Sequence, residues 1–126
     1  MKGKRIYFTV AVVFALGASA AAAADVFHFA LSRSAPEADA SVSAPAEVRL
    51  WFTEAPEENS VGIRLIDAAG DAVATTEAAA DPQNGAVFFI EPGAPLAAGR
   101  YTVSWRGIGD DGHVVRGDFG FSVTAE

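Results

Sequence analysis

Apolar and polar positions alternate with a period of two along most of the chain after residue 25, the pattern of half-buried strands. It is clearest near the C-terminus. Tyr101, Val103 and Trp105 alternate with Arg100, Thr102 and Ser104, and Val115, Gly117, Phe119, Phe121 and Val123 then share a parity. Gly109, Asp110, Asp111 and Gly112 make a turn-rich connection between these two strands.

Earlier segments repeat the pattern. Val26–Ser34 is expected as a first strand on its aromatic and branched content. Pro36–Ser43 reads as a polar turn region. In Glu47–Thr53, Val48, Leu50 and Phe52 share a core face, and Trp51 on the other parity requires that face to be partly covered. Val61–Asp67 alternates again, and Ala68-Ala69-Gly70-Asp71 predicts a hairpin into Ala72–Thr76. The alanines at 78–80 are followed at once by Pro82 and the turn pair Asn84-Gly85, which leaves room for one helical turn at most. Val87–Ile90 is a further strand, ended by Pro92-Gly93-Ala94-Pro95. About seven short strands with Pro and Gly turns, and no amphipathic helix of useful length, predict an all-β sandwich.

The first residues do not belong to that domain. Lys2, Lys4 and Arg5 precede an apolar run from Ile6 to Ala18, too short for a comfortable membrane span, and small residues follow to Ala24. A signal peptide over 1–24, cut after Ala24, and a single domain over 25–126 are expected. The domain then carries six basic and sixteen acidic residues, a net charge of −10. Such a surface repels nucleic acid and anionic lipid and favours cations or basic partners. With no cysteine, stability must come from a packed core rather than from disulfides.

Few residues are equipped for chemistry. There is no cysteine nucleophile, no Gly-x-Ser-x-Gly elbow and no phosphate-binding glycine loop. Glu54, Glu57 and Glu58 share one proline-containing loop and read as a solvated acidic turn. Asp118 reads as surface. The two histidines stand out against this composition. If Asp111-Gly112-His113 is extended, Asp111 and His113 project from one side, roughly 6 to 7 Å apart along the backbone. A carboxylate and an imidazole so placed can reach one small cation between them.

The chain resembles the CopC family of periplasmic copper-resistance and copper-carrier proteins. Three blocks carry the likeness: Leu31-x-x-Ser34-x-Pro36 after an early histidine; Pro45-Ala46-Glu47-Val48-Arg49-Leu50 with Phe52 and Glu54; and Pro95-Leu96-Ala97-Ala98-Gly99-x-Tyr101-Thr102-Val103-x-Trp105. Asp111-Gly112-His113 and Gly117-x-Phe119-x-Phe121-x-Val123 complete the last of these. The resemblance implies a Greek-key, immunoglobulin-like β-sandwich that binds one Cu(II) without turnover, through an N-terminal histidine and an Asp-x-His pair. By position these fall on His28, Asp111 and His113. Two neutral imidazoles and a carboxylate suit Cu(II), which takes nitrogen and oxygen donors in a tetragonal plane. An inner-membrane copper transporter or another periplasmic copper protein is the partner implied.

Three departures bear on that site. Ala30 stands where some members have a second early histidine. Met1 is the sole methionine, so a soft thioether site for Cu(I) cannot form in the exported domain. Asp25-Val26-Phe27 precede His28, so the terminal amine of that residue is not free to join the metal. Two other readings stand beside copper carriage: a structural or adhesive exported sandwich with a degenerate metal site, and a Zn(II) hydrolytic site with an open position.

Overall fold

The computed structural model describes residues 28–125. Nine strands follow in order: β1 (Leu31–Ala35), β2 (Ser41–Val42), β3 (Val48–Phe52), β4 (Gly62–Ile66), β5 (Ala72–Val73), β6 (Ala79–Asp81), β7 (Asn84–Ile90), β8 (Gly99–Ile108) and β9 (Val114–Val123). They form two sheets, β1-β3-β7-β6 and β2-β9-β8-β4-β5, packed face to face as a sandwich. All pairs are antiparallel except β2 with β9. The expected signal peptide, with Val26 and Phe27, lies outside the described residues.

The core follows from the alternation. Val48, Leu50, Phe52 and Ile90 on one sheet face Ile63, Leu65, Tyr101, Val103, Trp105, Phe121 and Val123 on the other, and all are buried. Each large apolar side chain buried in this way contributes about 1.5–3 kcal/mol. Tyr101 satisfies its hydroxyl by donating to the Ala97 carbonyl at 2.7 Å. On the outer face of β3, the Arg33 guanidinium lies 4.0 Å from the centre of the Trp51 ring. The indole is covered as expected, by a cation rather than by another layer.

Four expectations on the strands are corrected. There are nine strands, not seven. Ser41–Val42, inside the predicted turn region, runs parallel to Ser122–Val123. Ala79–Asp81, where a helical turn was conceivable, is a strand on β7, and the turn is Pro82-Gln83 rather than Asn84-Gly85, because Asp81 pairs with Asn84. Among the described residues the first strand begins only at Leu31, since His28–Ala30 bond to Thr53 instead of extending the ladder.

Candidate metal centre

The loop between β8 and β9 spans five residues, 109–113, and is built by local hydrogen bonds. Gly112 donates its N–H to the Gly109 carbonyl at 2.9 Å, closing a turn, and Gly109 donates to the His113 carbonyl at 3.2 Å. Gly112 adopts φ +82°, a left-handed conformation that side chains disfavour. The Asp111 carboxylate then folds over the turn. Its Oδ1 accepts the His113 backbone N–H at 3.0 Å, and its Oδ2 lies 3.0 Å from His113 Nδ1.

These bonds lower the Asp111 pKa, first through the His113 backbone N–H, then through the imidazole, and with a smaller electrostatic pull from His28. The carboxylate is therefore ionised, as a metal ligand must be. Because a carboxylate only accepts, the 3.0 Å contact is an Nδ1–H donated to Asp111 Oδ2; it orients the ring and leaves Nε2 as the imidazole nitrogen free for an ion. The His113 side chain is 82 % exposed, so the pair is open to solvent.

A second segment reaches the same end of the sandwich. Phe29 is buried, stacks on Phe52 at 4.8 Å between ring centres, and meets Trp105 edge-on at 6.5 Å. It also packs beneath the loop: a Cβ on Gly109 would fall 2.6 Å from Phe29 Cβ, so only glycine allows the two chains to approach this closely. Burial of Phe29 thus holds its neighbour His28 beside the loop that carries Asp111 and His113. The His28 side chain itself is not drawn onto the pair. Among the described residues, no three His, Cys, Asp or Glu side chains are gathered closely enough to hold an ion between them.

Two residues that sequence reasoning left aside tie the halves together. Thr53 Oγ1 accepts the Ala30 N–H at 3.0 Å and donates to the His28 carbonyl at 2.8 Å, while Thr53 N–H donates to the Ala30 carbonyl at 2.8 Å. Its neighbour Glu54 accepts the Asp110 N–H at 3.4 Å. Glu54 is therefore not merely part of a solvated turn. Consecutive residues just past β3 hold the His28 arm on one side and the β8–β9 loop on the other. Glu54 stands in one of the blocks that carry the family likeness, but nothing in the spacing announces either role, because both act on backbone groups remote in sequence.

The comparisons with known proteins agree with one another. A model of the CopC domain matches residues 31–124. Copper resistance protein C of Xanthomonas campestris pv. juglandis is 34% identical over 125 residues, covering 95% of this chain and 96% of that protein. The crystal structure of CopC from Methylosinus trichosporium OB3b superposes with a TM-score of 0.72 at 29% identity, covering 79% of this chain and 96% of that one. PcoC, described as a methionine-rich copper resistance protein from Escherichia coli, gives 0.70 at 31% identity, over 77% and 99%. This chain, by contrast, has a single methionine at position 1.

Proposed function

Since the chain belongs to the CopC domain family, and so to proteins of copper handling, we propose that it is an exported protein of the periplasm that binds one Cu(II) and holds or carries it. The ligands are His28, Asp111 and His113, with water completing the plane. No reaction is catalysed. An inner-membrane copper transporter or another periplasmic copper protein exchanges the ion with it. The observation that carries the reading is the Asp111–His113 pair, a carboxylate and an imidazole held together at 3.0 Å on one exposed turn.

The chain's residues divide the work. Asp111 supplies a carboxylate held ionised by the turn, and His113 an imidazole oriented by its bond to that carboxylate. His28 swings in from an arm anchored at Thr53 and Phe29. Copper then adds a direct bond between two segments that Thr53, Glu54 and Phe29 already hold side by side. Without a free amine on His28, binding should be weaker than at a site that uses one.

Competition of the mature protein against a Cu(II) chelator tests the proposal. His113→Ala should weaken Cu(II) binding by on the order of a hundredfold or more, as expected when one of three protein ligands is lost. Zn(II) should compete poorly. Unchanged copper affinity in His113→Ala would show that the ligand set is wrong, and aqueous copper alone with the wild type would favour a degenerate site.

A further inference from the structure

Three of the six arginines in the described chain have partners: Arg33 lies on Trp51, Arg49 bonds Glu47 and Asp81, and Arg100 bonds Asp39. Arg64, Arg106 and Arg116 are different. They stand exposed on the outer face of the five-stranded sheet and form no ion pair among the described residues. Arg106 lies directly opposite Arg116 in the β8–β9 ladder, and Arg64 is one row along, opposite Ser104. Like charges placed opposite each other in a sheet are destabilising. Folding does not call for this arrangement.

Its position is informative. The next outward pair toward the metal loop is Ile108 with Val114, and Val114 is an exposed large hydrophobic residue at 49 %. The loop follows at once, so the arginine pair sits about 10 Å along the strands from where it begins. A small cationic and apolar face therefore adjoins the candidate copper site of a domain whose net charge is −10.

We infer that Arg64, Arg106, Arg116, Ile108 and Val114 form a docking surface for an acidic face of a partner protein, which exchanges copper at the adjoining loop. The inference deepens the proposed copper function and rests on it for the purpose of docking. Guanidinium groups pair bidentately with carboxylates, and the exposed Val114 supplies an apolar edge on the side of the loop. The acidic remainder of the surface repels such a partner, so only this face attracts it and the approach is oriented. Acids also border the patch: Asp118 lies opposite Ser104, and Glu57 and Glu58 belong to the loop pinned to the Ile108 carbonyl through Glu57 N–H at 2.8 Å. An extended anionic membrane would meet those acids together with the arginines. A compact carboxylate cluster on a protein can meet the arginines alone.

The test uses copper-free, nitrogen-15-labelled mature protein titrated with a deca-aspartate peptide at low salt, followed by amide chemical shifts. Saturable shifts should centre on Arg64, Arg106, Ile108, Val114 and Arg116, and vanish at high salt. R106Q/R116Q should weaken the peptide on the order of tenfold, with no loss of melting temperature because a repulsive pair has been removed. R116Q alone, which keeps the Arg106 bond to the Ser60 carbonyl, repeats the test should the double variant misfold. Shifts that are absent or centred elsewhere overturn the inference. So does arginine-dependent binding to phosphatidylglycerol vesicles in place of the peptide, or self-association mapping to the same amides. Because no copper is present, failure here is separate from failure of the copper site.

Discussion

At the scale of single residues, the site depends on groups that touch no metal. Thr53→Val keeps the shape of the side chain and removes both hydroxyl bonds to the His28 arm. It should cost about 1 kcal/mol in stability and weaken Cu(II) by about threefold to tenfold, and Thr53→Ser should restore both in parallel denaturation and competition measurements. Gly109→Ala places a methyl group against Phe29 and should cost about 1–3 kcal/mol by denaturant unfolding. Asp111 titrates below its ordinary 3.8, chiefly because the His113 backbone N–H, and then the imidazole, bonds the ionised form. A carboxylate whose folded pKa is lowered adds stability above the unfolded value and surrenders it as pH falls through the folded value. The turn should thus stay intact where a free aspartate protonates. A carbon-13 titration of the carboxyl should give a midpoint below 3.8, moved only part of the way back by His113→Ala, because the backbone N–H remains.

At the scale of elements, the strands that were legible are those whose own side chains alternate. β3, β4, β8 and β9 fall where Val48-Leu50-Phe52, Ile63-Leu65, Tyr101-Val103-Trp105 and Phe121-Val123 placed them. β2 and β6 were hidden because two or three residues show no period, and Ser41–Val42 and Ala79–Asp81 become strands only through the partners they pair with. The first strand was expected too long for a related reason. Phe27 and Phe29 suggest a sheet, but in the structure Phe29 is buried by contact with Phe52, Trp105 and the β8–β9 loop, beyond the end of the β1 ladder. That Asp111 and His113 act as a pair could be read from three adjacent residues, but the triplet is a left-handed turn at Gly112 rather than the extended segment expected; the Thr53–Glu54 tether could not be read, since its partners lie 23 to 56 residues away. Phe29→Ala tests how the elements share the load: it should cost about 3–5 kcal/mol and lower copper affinity in the same variant, because the His28 arm loses its anchor.

At the scale of the whole molecule, the sandwich is a rigid frame that brings the start of the described chain beside the β8–β9 loop. Copper would bridge them and so stabilise the fold. Binding at a hundredfold excess over Kd adds about 2.7 kcal/mol, which for a domain of this size raises the melting temperature by roughly 10 °C or more. Scanning calorimetry with and without Cu(II) should show that rise in the wild type and little of it in His113→Ala. The central claim is that the arm and the loop converge on one ion, and pulsed electron paramagnetic resonance of the 1:1 Cu(II) complex addresses it most directly. Two coordinated imidazoles are predicted in the wild type, with one remaining in His28→Ala and one in His113→Ala. A wild-type complex with a single imidazole, or a spectrum unmoved by His28→Ala, would contradict the account.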